Sequence, residues 1–269
     1  MSYSIEGGIK LELKSCVIDG RKASYLQGGQ GKLLFFLHGW ATNPGIYGSA
    51  LVGAAALGYE VVAPYLPGNG PSDPISARGS MPSIDALTRW FKQLVEKVGN
   101  SEQIVLAGHS LGGGLAASFA DRYPDGVERL YLLSSVGGHA NAKGELIELR
   151  SSLEWSLSIP IDLVNSAIAP KHLVSMVGVG LAQFMRDPKG LWELSKLARN
   201  YQICAELDRL AKRSVTITVV GAKSDRVISR YSVARIAKCA QVEPIWVQGT
   251  HSWISTHPDQ FVQLLTGLS

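Results

Sequence analysis

Cysteine is scarce in this chain: Cys16, Cys204 and Cys239 are odd in number, far apart and outside any Cys-x-x-Cys spacing. That excludes a disulfide-scaffolded small domain and a cysteine-ligated zinc site, and the expectation is three reduced, partly buried thiols. Long hydrophobic runs are also missing. The most apolar stretch, residues 173–185, is interrupted by Ser175, Gly178, Gly180 and Gln183 and is too short to span a bilayer. Glu6, Lys10, Glu12 and Lys14 leave no room near the N-terminus for an apolar signal core. A cytoplasmic protein with no membrane span is therefore expected. No run of Lys or Arg concentrates the net charge of +4, so neither nucleic acid nor an anionic membrane is the expected partner. No cluster of His, Cys and Asp has ligand spacing, so no metal and no cofactor are expected. Internal repeats and low-complexity segments are absent.

What is present is an ordinary globular composition, 46% apolar and 18% charged over 269 residues, enough for one large α/β domain or one domain with an insertion. Residues 9–18 and 22–27 alternate apolar and polar around Asp19-Gly20, which predicts an antiparallel hairpin. Residues 32–37, Lys-Leu-Leu-Phe-Phe-Leu, do not alternate, as for a strand buried on both faces. Strand and helix patterns then repeat: helix 46–57, strand 60–63, helix 83–98, strand 103–107, helix 111–122 and strand 129–134. Repeated βα units predict a parallel sheet covered on both sides. The sheet pattern resumes with strand 215–220, helix 230–239, strand 244–247 and a closing helix 257–265. Eight strands in all are expected.

The intervening stretch 135–213 is too long for an ordinary connection and shows no strand pattern. Helical periodicity runs through 144–157, 161–169, 171–185 and 188–199, with Asp187-Pro188 as an N-cap and first-turn pair. Placed after a core strand, such an insertion would sit over the sheet edge as a lid. The core is then 1–134 and 214–269, and the lid 135–213. Most of Trp155, Met176, Phe184, Met185 and Trp192 are assigned to the lid's own core, with one or two facing the cleft.

Gly108-His109-Ser110-Leu111-Gly112 stands between a buried strand and a helix start, the setting of a nucleophile elbow. A turn that tight holds the serine in a strained conformation and tolerates almost no side chain on its flanks. The helix that follows aims its N-terminal amides at any oxyanion formed there. A serine nucleophile needs a base and a group to hold the base. Asp225 follows strand 215–220, and His251 follows strand 244–247. His38 and His109 are expected to hydrogen-bond loop backbone, His139 and His172 fall in the lid, and His257 opens the last helix.

Five motifs together resemble the α/β-hydrolase superfamily: Phe36-Leu-His38-Gly39-Trp40, Leu66-Pro-Gly-Asn-Gly-Pro-Ser72, Ala107-Gly-His-Ser-Leu-Gly-Gly113, Asp225-Arg-Val-Ile228 and Thr250-His251. The order Ser, Asp, His is that of the superfamily. Within it, the His-Gly-Trp opening and the segment 250–261 are similar to small capped carboxylesterases, including the pimeloyl-carrier methyl ester esterases, and to the cofactor-free haloperoxidase-like group. The resemblance implies an α/β-hydrolase fold, a mostly parallel eight-stranded sheet with helices on both faces and a helical lid. It implies Ser110, Asp225 and His251 as catalytic residues, and the backbone N–H groups of Trp40 and Leu111 as the oxyanion hole. Trp40, His109, Trp155, Phe184 and Trp253 are the candidate pocket residues; the indole of Trp40 either lines the acyl site or packs under its loop.

The implied activity is hydrolysis of a small or medium carboxylic ester through an acyl-enzyme, on a small-molecule substrate. Alternatives are the same triad acting on a thioester, amide or C–C bond, a perhydrolase or lyase reaction, or a non-catalytic ligand-binding receptor of the same fold. Two departures from the family pattern stand out. Tyr65 and Asn69 replace the usual Asp and His around Leu66-Pro-Gly, and one extra residue separates Gly221 from Asp225.

Overall fold

The computed structural model describes residues 2–4, 8–75, 83–99, 103–138 and 170–267. The helices expected over 144–157 and 161–169, with His139 and Trp155, lie outside the described residues. Among the described residues, one sheet holds β1 (Ser2–Ser4), β2 (Lys10–Ile18), β3 (Arg21–Gly29), β4 (Lys32–Leu37), β5 (Tyr59–Pro64), β6 (Ile104–His109), β7 (Val127–Leu133), β8 (Thr216–Ala222) and β9 (Ile245–Val247). Their spatial order is β1-β2-β3-β5-β4-β6-β7-β8-β9. β2 to β9 are the eight strands expected from the sequence. The three-residue β1 extends the antiparallel edge by pairing with β2. From β5 across to β9 every pairing is parallel.

Local chemistry explains the elements. Asp19 and Gly20 take φ of 49° and 74°, the two left-handed residues that match a hairpin turn to strand twist. Leu33 to Leu37 of β4 are all buried. Leu33, Phe35 and Leu37 enter one core layer and Leu34 and Phe36 the other, the period-two alternation of a strand covered on both faces. Helices α1 (Gly48–Ala56) and α9 (Pro258–Thr266) cover the Phe36 face. Helices α2 (Ile84–Val98), α3 (Leu111–Arg122) and α7 (Arg230–Cys239) cover the Phe35 face. Each fully buried phenylalanine contributes about 1.5–3 kcal/mol.

Between β7 and β8 the described residues form α4 (Pro170–Arg186), α5 (Pro188–Asn200) and α6 (Cys204–Leu210). Asp187 caps α5 by accepting from the Gly190 amide at 2.9 Å, and Pro188 stands at its first turn. α6 packs on the core: Leu207 and Leu210 are buried in the layer shared with α3 and α7.

The expectation of three free thiols is corrected here. Cys204 on α6 and Cys239 on α7 form a disulfide, with Cα atoms 5.3 Å apart, while Cys16 is free and half-buried. Sequence spacing hid the pair because only the packing of α6 on α7 brings the two sulfurs together. The bond spans a sequence separation of 35. By the chain-entropy argument its loss costs about 3–4 kcal/mol. Urea denaturation of the wild type with and without reductant should show that difference, and Cys204→Ser should lose the reductant sensitivity.

Candidate active site

Ser110 sits at the junction of β6 and α3 with φ 55° and ψ −118°. Holding a non-glycine residue there costs on the order of 1–3 kcal/mol, so the surroundings must over-determine it. They do so through the backbone. The Ser110 amide donates to Leu133 O at 3.0 Å, and its carbonyl accepts from Gly113 N at 3.0 Å and Val136 N at 3.1 Å. A Cβ on Gly108 would stand 2.3 Å from Gly112 O, and one on Gly112 would stand 2.2 Å from Leu37 O. Both flanks must therefore be glycine.

Asp225 lies just past β8. Its Oδ1 accepts from the amides of Val227 and Ile228, both at 2.8 Å, and its Oδ2 accepts from Nδ1 of His251 at 2.9 Å. Burial alone would push its carboxyl pKa up. The neighbouring His251 and the hydrogen bonds from His251 and the two amides outweigh that, and the pKa falls below the usual 3.8. Nδ1 donating to a carboxylate fixes the tautomer of His251 in which Nε2 carries the lone pair that a base needs. The extra residue between Gly221 and Asp225 has a simple origin: β8 continues through Gly221 to Ala222, and the turn begins only there, with Asp225 N donating to Ala222 O at 3.3 Å.

The loop after β4 completes the group. His38 is buried; its Nδ1 donates to Gly39 O at 2.8 Å and its Nε2 accepts from Leu66 N at 3.0 Å, which pins the Trp40 loop to the Leu66 loop. Burial lowers its pKa to about 4, so it stays neutral. The Trp40 indole lines the cavity and also reaches across it, Nε1 donating to Leu191 O of α5 at 2.9 Å. Gln183 of α4 donates to Thr42 O at 3.1 Å and to Asn69 Oδ1, and Arg186 donates to Gly70 O. Asn69, which replaces the family's usual histidine, thus serves as a fastening point for α4.

A cavity of about 320 Å³ lies beneath α4. Ser110, His251, Trp40 and His109 line it from the core, and Met176 and Phe184 from α4. Asp225 stands behind His251 and outside the lining. The other expected pocket residues divide. Trp155 lies outside the described residues. Trp253 is corrected: it is fully buried in the core layer on the Phe36 face, at the start of α8 (Trp253–Thr256), and does not line the cavity. A large apolar side chain there seals the sheet beneath the His251 loop. Met176 and Phe184 are the one or two lid residues expected at the cleft, while the assignment of Met185 and Trp192 to a lid core is corrected, since they are 75% and 38% exposed. Phe184 borders the cavity with part of its ring exposed, whereas Met185 of α4 and Trp192 of α5 face solvent. Sequence reasoning missed Tyr47, Thr42, Ser252 and Ser255 in the lining; no periodicity or motif marks them. Among the described residues, no group of three or more His, Cys, Asp or Glu is placed to hold a metal, and no helix is long and apolar enough to cross a membrane.

A strained serine on a strand-to-helix elbow, with an Asp–His pair on neighbouring loops of the same parallel sheet, defines the α/β hydrolase class of enzyme. The comparisons agree. A family model described as alpha/beta hydrolase fold matches residues 32–157. The pimeloyl-[acyl-carrier protein] methyl ester esterase of Shewanella woodyi is 34% identical over 197 residues, 68% of this chain and 72% of that one. Lipase 1 of Psychrobacter immobilis is 31% identical over a shorter match, 47% of this chain and 40% of that longer relative. The bromoperoxidase structure from Bacillus anthracis superposes with a TM-score of 0.76 at 17% identity, covering 96% of this chain and 99% of that chain, which is a likeness of fold. The chain belongs to the α/β-hydrolase superfamily.

The two buried histidines give a stability prediction. Their folded pKa values lie near 4 for His38 and 3 for His109, against the usual 6.5, so both are neutral when folded and take up a proton only on unfolding. Stability is then fully present above pH 6.5 and is lost as pH falls toward 4. Each histidine costs about 1.4 kcal/mol per pH unit across that window. Urea denaturation at pH 7 and pH 5 should differ by about 4 kcal/mol, and a flat profile would contradict the neutral assignment.

Proposed function

We propose that the chain is a serine hydrolase that cleaves a small or medium carboxylic ester through an acyl-enzyme. The observation that carries this reading is the Asp225–His251 hydrogen bond of 2.9 Å, with His251 and the strained Ser110 lining one cavity. Nε2 of His251 takes the proton of Ser110 as Oγ attacks the ester carbonyl. Asp225 holds the ring in the required tautomer and stabilises the imidazolium. The amides of Trp40 and Leu111 receive the oxyanion. His251 then protonates the departing alcohol, and water, activated by the same base, releases the acid. The chemistry calls for no cofactor.

The similarity to an ester-cleaving relative supports the bond type, and the mainly apolar cavity lining supports an acyl or alkyl substrate. Residues 135–213 are proposed as a lid over a core of 1–134 and 214–269; the fastenings at Trp40, Thr42, Asn69 and Gly70 support that role for α4 and α5. A cytoplasmic location stays within the proposal, and the Cys204–Cys239 bond weighs against it, because the cytosol keeps such thiols reduced.

Initial rates on p-nitrophenyl esters from acetate to dodecanoate test the reading. The wild type should peak at one chain length, Ser110→Ala should abolish the rate while keeping the fold, and Asp225→Asn should lower kcat roughly 10⁴-fold. Full activity in Ser110→Ala would sink the mechanism. Absence of a Ser110-dependent rate on every ester would instead favour another bond or a binding role.

A further inference from the structure

Two buried side chains beside Ser110 take no part in the steps above, yet they stand between all three of its loops. Tyr47 ends the turn Pro44–Tyr47 that follows the Trp40 loop, and His109 immediately precedes the nucleophile. They are 3% and 4% exposed. Nε2 of His109 lies 3.0 Å from the carbonyl oxygen of His251. A carbonyl can only accept, so Nε2 carries the proton and Nδ1 is bare. Nδ1 therefore accepts from the Tyr47 hydroxyl at 2.9 Å. The Tyr47 oxygen in turn receives the Gly39 amide at 3.4 Å, and Thr42 Oγ1 stands 3.2 Å from it. The His109 and His251 rings lie 4.6 Å apart at 40°. Gly39 is wedged against the same group: a Cβ there would lie 3.2 Å from His109 Nδ1 and 3.3 Å from Ser110 Cβ.

We infer that Tyr47 and His109 form a positioning couple that sets the His251 loop relative to the oxyanion loop and Ser110. The inference rests on the serine hydrolase reading. His109 borders the cavity but has both ring nitrogens engaged within the protein, so it acts through its neighbours and not on the substrate. The Gly39–Tyr47 link ties the connection after β4 to itself, the Tyr47–His109 and His109–His251 links carry it to the ends of β6 and β9, and no backbone hydrogen bond among the described residues joins the Gly39 loop directly to the His251 loop. The couple is uncharged. Burial first, and then the nearness of His251, hold His109 neutral; His38 adds to that effect, and Asp225 opposes it. Burial likewise keeps the Tyr47 hydroxyl protonated, with its pKa pushed up to about 12. A neutral partner beside His251 leaves Asp225 as the charge that stabilises the imidazolium formed during attack.

The test uses the full chain and a fluorophosphonate. Ser110 Oγ forms a bond to phosphorus, fluoride leaves, and the serine proton passes to His251, so the rate reports the base and the oxyanion amides without needing the natural ester. Tyr47→Phe should slow labelling about 10-fold, and His109→Leu about 100-fold, the scale of a misplacement of about 1 Å. His109→Gln, which keeps a donor for the His251 carbonyl, should recover part of the loss. On the best p-nitrophenyl ester the same variants should lose kcat with KM within about two-fold and should move the acid limb of the pH profile. A lowered Tm with wild-type labelling rate and pH profile would make the pair merely structural and overturn the inference, with Tyr47→Phe deciding if His109→Leu fails to fold. No labelling of Ser110 in the wild type would overturn the nucleophile reading itself, and the couple with it.

Discussion

At Ser110 the chain must pass from strand to helix within a space that excludes any Cβ on either side, and the rest of the site is arranged by that contact. The carbonyls that forbid a side chain on Gly108 and Gly112 belong to Gly112 itself and to Leu37 at the end of β4. The close approach therefore does more than shape a turn. It brings the end of β4, with the Trp40 loop attached, against the elbow, and it fixes how far the Trp40 amide can stand from the serine. The Leu133 carbonyl at the end of β7, accepting from the Ser110 amide, and the Val136 amide just beyond it, donating to the Ser110 carbonyl, close the cage from the other side. The strain at Ser110 is maintained by a sheet in which β6 is buried throughout and β4 from Leu33 to Leu37, and such strands have little freedom to relax it.

Charge is rationed around this point. Asp225 is the buried ionised group of the Asp–His pair, satisfied by two amides and His251. His38 and His109 are kept neutral by burial and are used as rigid two-ended connectors, each donating with one nitrogen and accepting with the other. A second buried cation near His251 would oppose the imidazolium that the proposed mechanism forms. Neutral connectors supply geometry without that penalty, and the cost appears instead as sensitivity of the fold to acid.

The helices between β7 and β8 obey a different balance. Helix α4 exposes Val174, Leu181, Phe184 and Met185 and is tied to the core by a few polar contacts at Thr42, Asn69 and Gly70. Exposed apolar side chains and a handful of polar ties, among the described residues, are the mark of an element held at low local stability. Helix α6, a few residues further on, is the opposite: its leucines are in the core and its cysteine is bridged to α7. Among the described residues between β7 and β8 the chain thus passes from a lightly held helix to a firmly anchored return into the sheet.

The strand and helix succession, the two-faced burial of β4, the hairpin turn and the elbow were all legible in the sequence, because each depends on residues close together in the chain. Period-two and period-3.6 patterns, Asp-Gly and Gly-x-Ser-x-Gly carry their own steric reasons. The candidate site was legible as Ser110, Asp225 and His251 for a related reason: each stands just past a recognisable strand, and a parallel sheet sends all such positions to one edge. Only the tertiary structure decided what lies between those positions. The Cys204–Cys239 bond, the burial of Trp253 away from the cavity, the fastening of α4 on Asn69 and the link from Gly39 through Tyr47 and His109 to His251 all join residues distant in sequence. Their partners are chosen by packing, which no local pattern encodes.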